Sequence, residues 1–161
     1  MARTSGPPLQ IACTLAALLV LAPLVRAQTP PPAAPLQTQE SNVVGVVAEL
    51  TECKRKDGVL TVKIRFRNTG AEKASFKLID RRQYDELYAT AGAKKYFVLR
   101  DSEKTPLAPP DDSFGQLTVK LEPGAAWTWW AKYPAPPAEV QAINYYTSVT
   151  PPFDDVPITD N

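Results

Sequence analysis

The stretch VLTVKIRFRN, residues 59–68, decides the fold class of this chain. Apolar side chains occupy every second position from Leu60, and polar or basic side chains fill the positions between them. Alternation with a period of two is typical of a β-strand that buries one face. The sequence therefore predicts a strand whose basic residues point outward and whose buried set is Leu60, Val62, Ile64 and Phe66.

A second strand precedes this one. Residues 43–53, VVGVVAELTEC, are rich in strand-forming residues, and Asp57-Gly58 separates them from residues 59–68. Asp-Gly is typical of the two-residue primed turn that closes an antiparallel hairpin, because both central residues need a positive φ. We therefore predict a hairpin over residues 43–67.

Further short strands follow, with turn residues about every ten positions, as in two-sheet β-proteins. No window has a helical period, although residues 80–88 leave room for one short helical turn. The pattern predicts an all-β, immunoglobulin-like antiparallel β-sandwich of roughly seven to nine short strands. The other predicted strands are 74–79, 87–90, 94–100, 116–121, 126–133, 140–149 and 156–158.

The N-terminus has the three parts of a secretory signal peptide. Arg3 gives a positive start, IACTLAALLVLA (11–22) is apolar, and Val25 and Ala27 are the small residues before a cleavage site. The apolar run is shorter than the roughly 20 residues that a membrane-spanning helix needs. We predict a signal peptide over residues 1–27 and a secreted or periplasmic product, an uncleaved anchor being the alternative.

Residues 28–41, QTPPPAAPLQTQES, predict a disordered, proline-rich linker, because they contain too little apolar surface to offset the entropy of ordering. We predict that residues 42–161 form one immunoglobulin-like domain. No segment after the signal peptide is long and apolar enough to be transmembrane. Cys13 lies inside the predicted signal peptide, so Cys53 is the only cysteine expected in the mature chain.

Three segments resemble a group of uncharacterised exported bacterial proteins with an immunoglobulin-like domain. They are KKYFVLRDSEKTPLA (94–108), LEPGAAWTWWAKYPAPPAEV (121–140) and PPFDDVPI (151–158). In some of those proteins the domain is fused to an OmpA-type peptidoglycan-binding domain, for which this chain has no counterpart. The resemblance implies the sandwich and the export, and it brings no catalytic residues.

The composition excludes the commonest catalytic and metal chemistry. The chain has no histidine, which removes the usual general base near neutral pH and an ordinary copper and zinc ligand. We predict no enzyme, no cofactor, no metal and no catalytic residues. Turn aspartates lack the alternating spacing of a calcium loop; they are Asp101, Asp111, Asp112, Asp154 and Asp155.

Removal of residues 1–27 would take two arginines and no acid from 18 basic and 17 acidic residues, leaving 16 against 17. This balance argues against nucleic acid as a partner. The basic residues are nevertheless clustered on the hairpin, where six of them form the candidate binding surface: Lys54, Arg55, Lys56, Lys63, Arg65 and Arg67.

This cluster predicts a partner that is a protein or an anionic component of the cell envelope. We expect the binding to be salt-sensitive and to weaken when Lys63, Arg65 and Arg67 are replaced by Gln without unfolding of the domain. The alternative interpretation is a solvated strand face that prevents aggregation, with Glu49 and Glu52 neutralising the cations.

A second hypothesis is a carbohydrate-binding module that uses the tryptophan-rich strand 126–133, with Trp130 and Tyr145 as the glycan site. The spacing predicts that Trp127, Trp129 and Tyr133 point into the core and that Trp130 points outward. Core packing is the simpler explanation of most of these aromatics.

Cys53 lies in TECKRK, beside three basic residues that would lower the pKa of a thiol and make it reactive. A lone cysteine on a strand otherwise behaves as a small buried apolar residue. The sequence leaves three interpretations of this free thiol: a buried core residue, a redox group or a disulfide between two chains.

Overall fold

The computed structural model describes residues 1–2 and 34–160. The predicted signal peptide, Cys13 and the first part of the predicted linker lie outside the described residues, apart from Met1 and Ala2. The description of the fold therefore concerns residues 34–160.

Residues 34–160 are all-β, with one turn of 3-10 helix at Tyr84–Glu86, inside the segment where a helical turn was predicted. The strands in chain order are β1 (Gln37–Glu40), β2 (Val46–Lys56), β3 (Val59–Asn68), β4 (Ala74–Ile79), β5 (Tyr88–Ala91), β6 (Lys94–Tyr96), β7 (Leu117–Leu121), β8 (Ala126–Pro134), β9 (Ala142–Tyr146), β10 (Phe153–Pro157) and β11 (Thr159–Asp160).

These strands form three sheets. The largest has the order β1-β2-β3-β8, and β11 also pairs with β2. A four-stranded sheet has the order β10-β9-β5-β6, and β4 pairs with β7 in a two-stranded sheet. All the pairs between strands are antiparallel except β11 with β2, which is parallel.

The predicted hairpin is confirmed. Strands β2 and β3 pair from Val46↔Asn68 to Lys56↔Val59, so that Asp57 and Gly58 form the two-residue turn. Both turn residues have positive φ, 50° and 76°, as a type I′ turn requires. The pairing shifts register once, between Leu50 and Glu52, so β2 contains a bulge at Thr51.

The sheets share one hydrophobic core. Trp129 and Tyr133 of the five-stranded sheet contact Tyr145 of the four-stranded sheet through hydrogen bonds. Phe66 packs against Phe76 of the two-stranded sheet with ring centroids 5.3 Å apart. The architecture is thus all-β with antiparallel sheets, consistent with a β-sandwich.

The structure has two short strands that the pattern did not predict, so the described strands outnumber the seven to nine expected. β1 lies within residues 28–41, the predicted disordered linker. It pairs with β2 through its backbone, and its glutamines Gln37 and Gln39 donate to the carbonyls of Asp154 and Pro152. Because β1 (QTQE) contains no apolar residue, the sequence has no apolar alternation that could predict this strand.

Candidate interaction surface

The outward side of the five-stranded sheet carries the basic residues of β3. Lys63, Arg65 and Arg67 are partly exposed, whereas the even-numbered residues Leu60 to Phe66 are buried. The predicted orientation of the strand is therefore confirmed. We call this outward side of β2, β3 and β8 the basic face; its polar and aromatic members are Glu49, Glu52, Lys54, Lys56, Thr61, Lys63, Arg65, Arg67, Thr128, Trp130 and Lys132.

Strand register fixes the neighbours on the basic face. Lys63 pairs with Glu52 of β2 on one side and with Trp130 of β8 on the other. Successive residues on the same side of one strand are about 6.8 Å apart, since each residue advances the strand by about 3.4 Å. Each such residue and its cross-strand partners form one row across the sheet. In the next row towards the turn, Thr61 lies between Lys54 and Lys132.

Arg55 does not belong to the basic face, and its predicted place in the positive cluster is wrong. It pairs with Leu60, so its side chain lies on the inward side of the sheet, where it is buried. Consecutive residues on a strand point to opposite sides. Lys54, Arg55 and Lys56 therefore cannot all point outward. The bulge at Thr51 reverses the alternation of β2, so that Arg55 lies on the inward side.

The buried guanidinium of Arg55 has a structural role at one end of the domain. Its Nε and Nη2 donate to the carboxylate of Asp160 at 2.6 and 2.9 Å. Its Nη1 and Nη2 also donate to backbone carbonyls of the 136–140 loop, at Pro136, Pro137, Ala138 and Val140. Charge-assisted hydrogen bonds of this kind offset the loss of hydration of the buried cation.

The predicted neutralising role of Glu49 is confirmed. Arg65 Nη2 lies 2.6 Å from Glu49 Oε2, and Arg67 Nη2 lies 2.7 Å from Glu49 Oε1. Glu49 is only 5% exposed. Burial raises the pKa of its carboxyl group, but the hydrogen bonds and charges of Arg67 and Arg65 outweigh burial and hold that pKa below its ordinary value.

These ion pairs change what a substitution would do. If Arg65 and Arg67 were both replaced by Gln, Glu49 would keep its buried charge without a cationic partner. Loss of both partners would destabilise the fold, although solvent reduces the cost because the side chains of Arg65 and Arg67 are partly exposed. We therefore expect replacement of Arg65 and Arg67 to lower the stability of the fold, because both pair with a buried carboxylate, whereas the folding of the triple variant stays a prediction.

The other cations of the basic face are available to solvent. Lys63 Nζ lies 3.0 Å from Glu52 Oε2, and both side chains are part exposed. Within residues 34–160, no ion pair involves Lys54, Lys56 or Lys132. Lys132 is exposed on β8 and was not included in the predicted cluster, because its proximity to β3 comes from strand pairing.

The tryptophan strand has the predicted orientation. Trp129 and Tyr133 are fully buried, and Trp127 packs partly buried against the core, 6.4 Å from the ring of Phe66. Trp130 points outward and is 39% exposed. Among the three tryptophans, it alone lies on the basic face.

Tyr145 cannot contribute to an exposed glycan site, because its side chain is fully buried. The indole N–H of Trp129 donates to its hydroxyl at 3.0 Å, and the hydroxyls of Tyr145 and Tyr133 are 2.7 Å apart. The Tyr133 hydroxyl also lies 3.3 Å from the carbonyl oxygen of Leu87. Burial raises the pKa of both phenols, and the predicted role of Tyr145 in glycan binding is wrong.

Cys53 is a buried core residue, 1% exposed. It pairs with Val62 on the inward side of the sheet, and burial raises the pKa of its thiol to about 12 although Arg55 lowers it. A thiol with this pKa is protonated at neutral pH and is a poor nucleophile. Of the three interpretations left open by the sequence, burial agrees with the structure, and the redox and disulfide interpretations do not.

The turn aspartates stabilise loops. Asp101 accepts hydrogen bonds from the backbone N–H groups of Glu103 and Thr105, and Asp112 accepts from Phe114 and Gln116. This is the usual role of Asp in turns. Within the part of the chain that the structure describes, no three metal-ligating side chains come together.

A second aromatic cluster, which the sequence did not reveal, lies on the four-stranded sheet. The rings of Tyr88 and Tyr146 stack 4.7 Å apart on neighbouring strands, and exposed Phe97 lies 6.2 Å from Tyr88. Lys95 Nζ lies 4.3 Å from the centre of the Tyr88 ring. The ring of Tyr88 is thus in contact with both Tyr146 and Lys95.

Compared with known protein families, curated proteins and solved structures, the chain matches none of them. Among residues 1–2 and 34–160, no helix is both long and apolar enough to cross a bilayer. Proposals about function therefore rest on the basic face and its surroundings.

Proposed function

We propose that this protein is an exported, non-enzymatic interaction module with an immunoglobulin-like fold, and that its basic face binds an anionic component of the bacterial cell envelope. Export rests on the signal-peptide pattern of residues 1–27, and the immunoglobulin-like assignment on the strand pattern and the resemblance described above. The composition, without histidine, supports a binding role over a catalytic one.

One observation carries the proposed binding role. The register places six cations on the outward side of the five-stranded sheet: Lys54, Lys56, Lys63, Arg65, Arg67 and Lys132. Three carboxylates share that side: Glu40, Glu49 and Glu52. Six cations and three carboxylates give the outward side a net charge of +3. Because the whole chain has a net charge of only +1, this excess is confined to one surface. Such a patch attracts anionic partners over about one Debye length, roughly 8 Å in physiological salt.

The test uses the three lysines that form no ion pair within the described residues. We expect a Lys54→Gln/Lys56→Gln/Lys132→Gln variant to bind anionic probes about tenfold more weakly, because each exposed charge contributes roughly 0.5 kcal/mol. Two anionic probes are used separately: an oligogalacturonate, and vesicles that contain phosphatidylglycerol. Phosphatidylcholine vesicles are the neutral reference. Binding is measured in about 0.1 M and about 1 M salt, where the Debye length falls from about 10 Å to about 3 Å.

The matched control is a Lys94→Gln/Lys95→Gln/Lys120→Gln variant, which removes the same charge from exposed positions on other strands. Thermal unfolding of both variants checks that the fold is retained. Equal weakening by both variants would show that net charge, and not the basic face, determines binding. If the protein binds neither of the two anionic probes, the proposed function is overturned.

A further inference from the structure

Trp130 is surrounded by two kinds of polar group on the basic face. Lys63 is its direct cross-strand neighbour, and Thr128 and Lys132 precede and follow it on the same side of β8. Thr61 and Arg65 are its diagonal neighbours on β3. An exposed indole thus lies between ammonium groups and hydroxyl groups on an open sheet surface.

We propose that the basic face binds an acidic polysaccharide, with Trp130 stacking against a sugar ring while Lys63 and Lys132 pair with its anionic substituents. The inference rests on the proposed function and names the class of ligand. The C–H groups on one side of a sugar ring are slightly positive and pack against the negative face of an aromatic ring. The carboxylate or phosphate of the sugar supplies the charge that complements the lysines.

The hydroxyl groups favour a sugar over a lipid surface. Thr61 and Thr128 each offer one donor and acceptor lone pairs, which match the hydroxyls of a sugar ring. Binding in a lipid interface depends on buried apolar area as well as on attraction to anionic lipids. Trp130 is the one exposed large apolar side chain on the basic face within residues 34–160. The face therefore has the groups that recognise a sugar and lacks the apolar area that membrane insertion requires.

The geometry of β8 suits a linear chain. Thr128, Trp130 and Lys132 lie on one line along the strand, spaced by about 6.8 Å. Lys63 and Arg65 lie beside that line on β3, one strand spacing of about 4.8 Å away. A linear acidic polysaccharide lying along β8 would contact Trp130, Lys132 and the neighbouring cations of β3.

The experiment measures binding of the purified protein to an oligogalacturonate, to a neutral maltooligosaccharide of equal length and to phosphatidylglycerol vesicles. The variants are Trp130→Ala and Lys132→Gln, with Lys120→Gln as the exposed control lysine on β7. Trp130→Ala is expected to weaken oligogalacturonate binding at least about fivefold. In the unsubstituted protein, the ligand should shield tryptophan fluorescence from acrylamide, because Trp130 is the exposed indole.

The outcomes separate this inference from the proposed function. Binding of the oligogalacturonate but not of the neutral oligosaccharide, weakened by Trp130→Ala and Lys132→Gln but not by Lys120→Gln, supports the inference. Lysine-dependent binding that Trp130→Ala leaves unchanged, or binding to the vesicles alone, overturns the inference and leaves the proposed function intact. Equal binding of the neutral oligosaccharide overturns the inference as well. If neither anionic probe binds, both proposals fail.

Discussion

Arg65 and Arg67 both reach the single carboxylate of Glu49, one through each oxygen. Glu49 is buried on the outward side of the sheet, so the two arginines cover it and supply the hydrogen bonds that it loses from water. At the scale of residues, the six cations of the basic face thus differ in their roles, with Lys63 paired to Glu52. The arginines stabilise a carboxylate, and the lysines Lys54, Lys56 and Lys132 have no such function within the described residues.

The Glu49 cluster predicts a loss of stability in acid. Because the pKa of Glu49 is lower in the folded protein, the unfolded state takes up its proton first as the pH falls. The stabilisation is present above the unfolded-state pKa of about 4.3 and is lost as the pH falls through the folded-state pKa. Urea unfolding between pH 7 and pH 3 should show a shallower acid decline in Glu49→Gln than in the unsubstituted protein.

The control for this series is Glu122→Gln, since Glu122 is an exposed carboxylate paired with exposed Lys73. Its acid decline should match that of the unsubstituted protein, because exposed pairs contribute little. A Glu49→Gln variant with an unchanged acid profile would contradict the role assigned to this carboxylate.

Cys53 should be unreactive in the folded protein. Its thiol is buried and its pKa is raised to about 12, so almost no thiolate is present at neutral pH. With a chromogenic disulfide reagent at pH 8, we expect a negligible signal from the native protein and one thiol per chain in denaturant if the signal peptide is removed. Rapid native labelling, or a covalent dimer under mild oxidation, would show that the strand opens around Cys53.

At the scale of elements, the β2–β3 hairpin shows what local patterning can predict. The alternation in β3 and the Asp57-Gly58 turn are both encoded within a few residues, and both were predicted correctly. Arg55 lies on the inward side because the bulge at Thr51 reverses the alternation of β2, and the sequence pattern does not reveal that bulge. Its partners, Asp160 and the 136–140 loop, are far away in the chain and leave no local signal.

The Asp57-Gly58 turn predicts that adding a methyl group in the Gly58→Ala variant measurably lowers stability. Gly58 has φ of 76° and no neighbouring atom within 4 Å of an added Cβ. The cost of Gly58→Ala is therefore confined to the backbone and should be about 1 kcal/mol in urea unfolding. Asp57→Asn is the matched control, with an expected change below about 0.5 kcal/mol, because Asn also tolerates positive φ. Unchanged stability of Gly58→Ala would mean that the turn can adopt another conformation.

At the scale of the whole molecule, the all-β class followed from the sequence, but the arrangement of the sheets did not. The pairing of β3 with β8 brings Lys63 beside Trp130, residues that are 67 positions apart in the chain. The Tyr88–Tyr146 stack likewise depends on the pairing of β5 with β9. The basic residues of β3 and the outward orientation of Trp130 could thus be predicted separately, whereas their proximity required knowledge of the strand order.

Strands β1 and β11, the first and last strands of the domain, both pair with β2. Gln37 pairs with Leu50, and Asp160 pairs with Arg55, so these residues lie about 17 Å apart along one strand, five residues at about 3.4 Å each. A flexible linker of about eight glycine and serine residues spans such a distance. The first and last strands are therefore placed for covalent joining into a closed ring.

A circularly permuted protein would exploit this proximity. Residue 160 would be joined to residue 37 through that linker, and the chain would be reopened at the exposed Gly92 turn between β5 and β6. Because no strand is cut and no pairing is lost, the permutant should unfold in a single cooperative transition, as small domains do. A permutant that fails to fold would show that β1 and β11 pair with β2 only when they are not joined to each other. If the permutant folds, its new chain ends lie side by side at the Gly92 turn. The domain could then be inserted into a loop of another protein, with its basic face still exposed to solvent.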